Sequence, residues 1–487
     1  MARSAPLSLG TMTHRSFHMA RNVAIAIAIV SSVTVHDSYA ASWPLRISAG
    51  GRYLEDQSGS PFLIVADAGW ELTTQIRKED AILYLDDRAA RGFNAVEIRV
   101  IGHRFQTNAP NNYYNVAPFT NGPDDWSVRN ETYWAHIDYV VSAARDRGMV
   151  ILMFPSYLGN SCGPEGWCAD MQSQTDAVMT NYGTWIGNRY RTLGNVVWMR
   201  GGDVDASGYT NALARDAAVV AGVRAGFPGA LFSVEPGSGQ LGGVDSYSAG
   251  TDINGAYIHG APQSLVQRAY QSSPRPFMFQ EGYYENEYGT PLVNLESQGL
   301  ITYLGGGLAG CVFGSCPLWS FGTQTGFCDY GSPPFDSWKN NLASAGSVSA
   351  GNLGKLMRSR KWWTLVPDYS NTVVTSAKGS GFSYHATARE GTGETVMVWS
   401  PNTNVVTVDM TKVGGTQARA WWWSPGDNTS VLIGTYSTSG TKNFTPSSVG
   451  RVLVLDNVAS NLAAPGTTAY ATDSVPPAAP TGLRGIP

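Results

Sequence analysis

The chain has few charged residues for its length. Asp, Glu, Lys and Arg make up 14% of its 487 residues, and the formal net charge is −4 with a sequence pI near 6.0. It has no basic stripe and no block of like charges, which are typical of proteins that bind nucleic acid or anionic membranes. We therefore expect neither nucleic acid nor a membrane surface as a partner.

Long hydrophobic runs are also scarce. The clearest one, residues 23–30, follows Arg15 and Arg21 and is too short to span a bilayer. Residues 38–40, Ser-Tyr-Ala, place small side chains at the two positions that a signal peptidase reads. The pattern predicts a signal peptide over residues 1–40 and a secreted protein, extracellular or periplasmic, with no membrane segment in its mature form. A membrane anchor is the alternative.

Cysteine is rare and is not accompanied by histidine at the spacing of a zinc site. Export permits disulfides, and Cys162 and Cys168, which flank a Gly/Pro-rich loop, are the expected pair. Among Cys311, Cys316 and Cys328 one further pair can form, and the sequence does not say which. The seven histidines are scattered and no carboxylate loop has calcium spacing. We expect no metal and no cofactor.

Two enzyme signatures are missing. No Gly-rich phosphate loop follows the first strand, which argues against a doubly wound open sheet, and no Gly-x-Ser-x-Gly supports Ser/His/Asp chemistry. Apolar strands instead alternate with helical segments over about 290 residues, the size and rhythm of a (β/α)₈ barrel of the α/β class. The eight predicted strands are residues 62–66, 93–100, 149–154, 195–199, 230–235, 256–259, 276–281 and 311–319.

The texture of the sequence changes after residue 361. Short alternating strands separated by Gly, Asn and Pro turns replace the helical segments, which predicts a small antiparallel β-sandwich. From residue 459 onward Ala, Thr, Pro and Gly dominate. We therefore expect a catalytic barrel over residues 41–360, a β-sandwich over residues 361–458 and a linker or tail over residues 459–487.

Two carboxylates stand where predicted buried strands end. Asp203 follows strand four after the break Arg200-Gly-Gly, and Glu281 closes strand seven. Burying a carboxylate at such a position costs free energy unless it is paired or hydrogen-bonded. An unpaired one there indicates a functional role. The carboxyl ends of parallel barrel strands gather at one face, and glycoside hydrolysis requires two carboxyl groups across one bond. Asp205 and Glu285 are the nearest competitors for these roles.

Several segments resemble the apiosidase-like glycoside hydrolases, family 140 and its relatives. These are residues 62–70, 84–94, 195–203 and 280–285. Residues 361–368, 384–389 and 450–455 resemble the small β domain, named for collagen binding, that often accompanies that barrel. The resemblance extends over about residues 45–457, and it specifies fold and reaction class more than substrate. Many members read Gly-Asp-Thr where this chain has Ala-Asp-Ala at residues 66–68.

The resemblance implies roles for the two carboxylates. Family members place an acid/base Asp after strand four and a nucleophilic Glu after strand seven, positions that Asp203 and Glu281 match. The aromatic surroundings Trp198, Phe279 and Tyr283 would help to keep Asp203 protonated near neutral pH. The bland alternative is that Asp203 only caps the following helix.

Other polar and aromatic residues at strand ends are candidates for substrate binding. Glu97 and Glu235 would form a hydrogen-bonding shell with Arg99 that orients sugar hydroxyls, or a structural ion pair. Trp319 would be the floor on which a sugar ring stacks and Trp70 its neighbour, with core packing as the alternative. The remaining candidates are His259, which could hydrogen-bond the nucleophile, and Asp67, His103, Tyr157 and Tyr283.

Together these features predict a secreted, monomeric, retaining glycosidase that acts on a cell-wall polysaccharide. An inverting glycosidase, with carboxyl groups about 6.5–9.5 Å apart in place of about 5–5.5 Å, is one alternative. A non-catalytic carbohydrate- or matrix-binding protein is the other.

Overall fold

The structure is a computed structural model, and it describes residues 41–123, 125–205, 208–272, 275–322 and 338–471. The predicted signal peptide, Cys328 and residues 472–487 lie outside the described residues. After a small three-stranded sheet of β1 (Arg46–Ile47), β2 (Leu54–Glu55) and β3 (Pro61–Phe62), the chain builds a barrel. Its strands are β4 (Ile64–Ala68), β5 (Ala95–Arg99), β6 (Val150–Phe154), β7 (Val196–Val204), β8 (Phe232–Pro236), β10 (Asn254–Tyr257), β11 (Phe277–Glu281) and β12 (Gly310–Phe313).

Parallel ladders run β8-β7-β6-β5-β4-β12-β11-β10, so the first and last barrel strands, β4 and β12, are neighbours. The ring is nearly closed. Between β8 and β10 the backbone N–H groups of Asp252 and Ile253 donate to the carbonyl of Phe232, and the short strand β9 (Gln240–Leu241) pairs antiparallel with β10. The predicted barrel followed by a β domain is confirmed.

Helices connect the barrel strands. They are α1 (Lys78–Arg91), α2 (Glu131–Asp146), α3 (Cys168–Ser173), α4 (Asp176–Tyr190), α5 (Thr210–Gly226), α6 (Gln263–Ser272), α7 (Leu292–Leu304) and α8 (Ala345–Arg358). Helix α1 ends at Gly92, whose positive φ of 102° suits a left-handed helix cap. The expected strict alternation is wrong at one place, because residues 237–253 between β8 and β10 contain β9 and turns but no helix.

The barrel strands are buried on both faces, which explains their nearly continuous apolar sequences. Inside the ring, small and large side chains such as Ala66, Ala95, Leu152 and Met278 form one core. Outside it, the strands and helices share a second, larger core. The polar side chains that break this pattern therefore concentrate at the carboxyl ends of the strands.

The C-terminal region consists of antiparallel strands. They are β13 (Leu365–Pro367), β14 (Thr387–Glu390), β15 (Thr395–Ser400), β16 (Val406–Asp409), β17 (Gln417–Trp423), β18 (Ser430–Ser437), β19 (Thr441–Phe444) and β20 (Arg451–Asn457). Six form a sheet in the order β13-β14-β15-β20-β17-β18, and β16 pairs with β19. Residues 372–375 contribute only an isolated bridge from Val374 to Val408.

The β domain packs directly on the barrel. The indole N–H of the buried Trp399 donates to Ser297 Oγ on α7 at 3.0 Å, and the Tyr369 hydroxyl donates to the carbonyl of Gly305 at 2.9 Å. Part of the expected tail also has contacts: the Gly466 N–H donates to Ser359 Oγ, and Tyr470 lies 5.7 Å from Trp363. Residues 459–471 are therefore attached to the folded protein.

The cysteines follow the expectation where they are described. Cys162 and Cys168 form a disulfide, Cys316 is disulfide-bonded and Cys311 is a free thiol. Burial raises the pKa of the Cys311 thiol to about 12, so this cysteine is unreactive at neutral pH.

Within the described ranges, no helix has both the length and the apolar character needed to cross a membrane.

Candidate active site

A bulge at the end of β7 determines where Asp203 points. The sequence predicted that the strand stops before Arg200-Gly-Gly, but it continues through Val204. Its pairing with β8 shifts register between Gly201 and Val204. Gly201, Gly202 and Asp203 have positive φ angles of 79°, 124° and 50°. Such a bulge re-aims a side chain and is common next to active sites.

Replacing Gly202 by alanine is expected to disturb Asp203. A Cβ at Gly202 would lie 2.6 Å from the Tyr157 ring, at a φ that disfavours any side chain. We expect kcat/KM to fall by about 100-fold, the effect of a misplacement of roughly 1 Å, with a folded protein by circular dichroism. Gly208→Ala, on the same connection and with open space around its Cα, is the control and should leave kcat/KM near the wild-type value. Equal activity of the two variants would contradict the role of the bulge.

Asp203 and Glu281 line the same cavity, which has a volume of about 400 Å³ and lies at the carboxyl ends of the strands. Glu281 is the last residue of β11, and the negative charge of Asp203 contributes to raising the pKa of Glu281. The other lining residues are Trp70, Arg99, Phe105, Tyr157, Asn160, Glu165, Ser238, Tyr257, His259, Tyr284, Glu287, Tyr288 and Trp319. Two carboxyl groups distant in sequence are thus brought to one hollow.

The environment of Asp203 favours a protonated carboxyl group. Burial raises the pKa of Asp203 to about 6, against the lowering effect of hydrogen bonds from Asn160 and Tyr257. The Asn160 amide donates to Asp203 Oδ2 at 2.6 Å. Asp203 does not cap the next helix, because α5 begins at Thr210 after an N-cap at Tyr209. A carboxyl group of this pKa can release a proton near neutral pH.

Glu281 lies in a cluster of buried acids. Burial raises its pKa well above the usual range, and the negative charges of Glu235 and Asp203 raise it further. The carboxyl group of Glu235 adjoins that of Glu281, and this contact adds to the rise in the pKa of Glu281. His259 Nε2 lies 4.0 Å from Glu281 Oε1, beyond hydrogen-bond distance.

Arg99 lines the cavity, but its main partner differs from the expected Glu97. It pairs with the buried Glu71 and donates to the carbonyl of Glu165 at 3.1 Å. Glu97 is fully buried outside the cavity lining and accepts a hydrogen bond from Gln280. Glu71 was missed, although it directly follows Trp70. The sequence could not reveal the pairing because both glutamates are close to strand ends.

Four other expected cleft residues lie outside the lining: Tyr283, Asp67, His103 and Glu235. Asp67 points to α1, where it accepts hydrogen bonds from Arg88 at 3.0 Å and the Tyr84 hydroxyl at 2.6 Å. His103 is half-buried and packs edge-on against Trp167 at 4.9 Å. Glu235 is buried beneath the cavity, with the Tyr157 hydroxyl 3.4 Å from its Oε1. Asp67 is better explained as part of a buried ion pair that holds β4 to α1.

The two expected sugar-binding tryptophans both line the cavity. Trp70 follows β4 and Trp319 follows β12, which are adjacent strands. Their indole N–H groups have partners: Trp70 donates to the Tyr284 hydroxyl at 2.9 Å and Trp319 to Glu287 Oε1 at 3.1 Å. These bonds hold both rings in place at the cavity wall.

Several lining residues were missed by sequence reasoning. Tyr257 is the last residue of β10 and could have been found by the same strand-end rule as Asp203. Tyr284 and Glu287 follow Glu281 closely, and burial raises the pKa of Glu287 to about 7. Glu165 comes from the loop that the Cys162–Cys168 disulfide closes, and Asn160 lies just before that loop. The fold of this segment cannot be read from residue spacing.

The two competitors among the acids have other contacts. Glu285 Oε1 accepts the backbone N–H of Gly346 at 2.8 Å, at the start of α8. Asp205 is exposed and accepts a hydrogen bond from the Ser246 hydroxyl at 3.3 Å. Neither lines the cavity.

The barrel fold is similar to the folds of solved glycoside hydrolases. A solved structure called "Glycoside hydrolase" superposes with a TM-score of 0.74 at 20% identity, covering 87% of this chain and 98% of that one. A glycoside hydrolase family 5 structure from Bacteroides vulgatus gives 0.73 at 20% identity, covering 85% and 94%. At this identity the likeness concerns the fold.

The family follows from the sequence. Residues 48–364 match the family described as "Apiosidase-like, catalytic domain", and the chain belongs to this family of glycosidases. Residues 366–456 match the "Putative collagen-binding domain of a collagenase". The resemblance seen in the motif segments is thereby confirmed. A comparison with curated proteins finds no match.

Proposed function

We propose that this protein is a secreted, retaining glycosidase that cleaves O-glycosidic bonds in a cell-wall polysaccharide, with Asp203 as acid/base and Glu281 as nucleophile. The observation that carries the proposal is the presence of both carboxyl groups in one cavity. Retention requires two such groups, one protonated to assist the leaving oxygen and one ionised to attack the anomeric carbon.

The first step breaks the glycosidic bond. A Glu281 carboxylate oxygen attacks the anomeric carbon while Asp203 gives its proton to the departing oxygen, so that an alcohol leaves and a glycosyl ester forms. In the second step Asp203, now ionised, takes a proton from water as the water attacks the same carbon. The ester bond breaks, the sugar is released and both carboxyl groups return to their starting states.

Glu235 lies against the proposed nucleophile. Burial and neighbouring acids raise the pKa of both Glu235 and Glu281, because two adjacent carboxylates in a buried site would repel each other. Attack on the anomeric carbon requires Glu281 in its ionised form, so the proton of this pair must be off Glu281 before the first step.

Two further features support the proposed sugar substrate and the proposed secretion. Trp70 and Trp319 offer aromatic faces suited to the apolar face of a sugar ring. The Cys162–Cys168 disulfide is typical of exported proteins, and it closes the loop that follows Asn160, whose amide donates to Asp203.

The pH dependence of kcat/KM is expected to reflect Asp203. Because bond cleavage needs Asp203 protonated, kcat/KM should fall as the pH rises above about 6, the value to which burial raises the pKa of Asp203. Burial also raises the pKa of Glu281, so protonation of this carboxyl group limits activity on the acidic side of the profile. The check is a pH profile on a glycoside with an alkyl alcohol leaving group, whose departure needs a proton. The high-pH limb should vanish in Asp203→Asn, and its persistence would contradict the assignment.

The stereochemical outcome tests the proposal as a whole. Polysaccharides of plant and microbial walls are digested, and the anomer first released is identified by proton NMR before mutarotation. Retention supports the two-step route through Glu281. Inversion would favour a single displacement by water on the same scaffold, and no release from any substrate would sink the proposed activity.

A further inference from the structure

Four aromatic rings lie together at the mouth of the cavity and are here called the rim row. Tyr288, His259 and Tyr283 contact one another, and Phe382 contacts Tyr283. The rings of His259 and Tyr283 are nearly parallel, with centroids 5.8 Å apart and 7° between their planes. Tyr288 lies 5.9 Å from each of these two rings. Phe382 lies 6.2 Å from Tyr283 at an angle of 34°. Each ring of the rim row therefore contacts at least one other ring of the row.

The rim row crosses from the barrel to the β domain. His259 and Tyr288 line the cavity, whereas Phe382 belongs to the helical turn Gly381–Ser383 that precedes β14. The turn is attached to the barrel by the Gly381 N–H, which donates to Gln263 Oε1 at 2.9 Å. On the barrel side, the Tyr283 N–H donates to Gln298 Oε1 at 2.8 Å and its carbonyl accepts from Gln298 Nε2 at 3.0 Å. Hydrogen bonds therefore fix the backbone at Tyr283 on the barrel and at the turn that carries Phe382.

The rings of the rim row do not serve the interior of the protein. None of the four belongs to the hydrophobic cores formed by the described residues. Tyr288 is 49% exposed and the His259 side chain 32% exposed, while Tyr283 and Phe382 are partly accessible. Burial lowers the pKa of His259, so its ring is neutral and suited to stacking. Adjacent aromatic rings left in water indicate a binding surface.

We propose that the rim row binds consecutive sugar units of a polysaccharide whose cleaved sugar occupies the cavity, and that the β domain contributes Phe382 to this binding. The inference deepens the proposed function and rests on it. A sugar chain is the expected ligand of the rim row because two of its four rings already line the cavity that holds the two acids. A chain bound in the cavity would therefore continue onto the row. Flat rings offer a sugar chain apolar contact area while their polar edges remain solvated. The β domain then has a direct part in recognising a long substrate.

The test separates long from short ligands. Full-length Glu281→Gln protein, unable to turn substrate over, is run in native gels containing arabinoxylan, arabinogalactan, galactomannan or rhamnogalacturonan. We expect retardation in at least one gel, and about tenfold weaker retention when Phe382→Ala is added. Phe382→Trp should restore retention. Tyr139→Ala, which removes an aromatic that is 41% exposed on α2, is the matched control and should change nothing.

A second readout excludes a purely structural effect. Phe382→Ala in the active enzyme should raise KM for the retained polysaccharide but leave kcat/KM for an aryl monosaccharide glycoside near the wild-type value. The inference is overturned if no gel retards the protein, if Phe382→Ala is retained like its parent, or if short and long substrates suffer equally. If the gels retard the protein but wild type hydrolyses none of the polysaccharides, the proposed function alone is contradicted. If hydrolysis of the polysaccharide does not depend on Phe382, this inference alone is contradicted.

Discussion

Replacing Glu281 by glutamine is expected to lower kcat by about 10⁵-fold, on the order of 7 kcal/mol of barrier. Glutamine has the shape of glutamate but no anionic oxygen that can attack the anomeric carbon. The amide still fits the buried site and can donate to Glu235, so the fold should persist. The measurement is kcat on an aryl glycoside, with sugar binding followed separately by calorimetry. Retained activity would exclude Glu281 as the nucleophile.

Glu285→Gln is the matched control for this experiment. Glu285 is four residues further along the chain and binds the backbone N–H of Gly346 outside the cavity. Glutamine retains an oxygen that can accept this hydrogen bond. The variant should therefore keep kcat close to wild type. A large loss in this variant would mean that the loop, rather than the Glu281 carboxylate, controls activity.

The Glu281→Gln variant should also be more thermostable than wild type at high pH. Burial raises the pKa of Glu281 in the folded state, so the folded protein binds this proton more tightly than the unfolded chain does. The stability contributed by that proton is fully present below the unfolded pKa and is lost as the pH rises through the folded pKa. We expect the Tm of the variant to exceed that of wild type at pH 8, by a margin that shrinks towards pH 4. Identical Tm differences at both pH values would contradict this account.

Asp203→Asn is expected to lower kcat/KM about 10³-fold for substrates with an alkyl alcohol leaving group, within the range of general acid–base catalysis. Asparagine cannot protonate the departing oxygen. A 2,4-dinitrophenolate leaves without a proton, so the loss should be much smaller for the attack step on that aryl glycoside. Added azide should restore turnover by replacing the water that Asp203 would activate. A loss independent of the leaving group would contradict the acid role.

Asp205→Asn is the matched control for Asp203. Asp205 is two residues further along, exposed and outside the cavity lining. Its replacement should leave the dependence on leaving group unchanged. If Asp205→Asn gave the larger effect, Asp205 rather than Asp203 would be assigned as the acid.

Much of the architecture could be predicted because it depends on local patterns. Buried parallel strands are continuously apolar and their helices are amphipathic, so strand positions and the change to antiparallel strands are visible in one sequence. The prediction was weakest where local pattern and tertiary packing diverge. Gly201-Gly202 looked like a strand break, but pairing with β8 continues past it as a bulge. The connection of residues 237–253 lacks a helix although the barrel rhythm predicted one.

Among the site residues, those that end strands were the easiest to predict. Asp203, Glu281, Trp70 and Trp319 line the cavity because the strand ends of a barrel converge. Asp67 also lies near a strand end, but its side chain turns outward to a helix, here towards Arg88. Alternate residues of a strand face opposite sides, and a short apolar run does not reveal which side is inner.

The sequence by itself determined the barrel, the β domain, the family and two acids at strand ends, because hydrophobic periodicity and short motifs are local properties of the chain. Only the tertiary structure decided that Glu71 is the partner of Arg99, that Glu235 lies against Glu281, and that Phe382 reaches the rim. These contacts join residues far apart in the chain. Their formation depends on how closely packed elements approach and how far water is excluded, and neither is encoded in the spacing of residues along the chain.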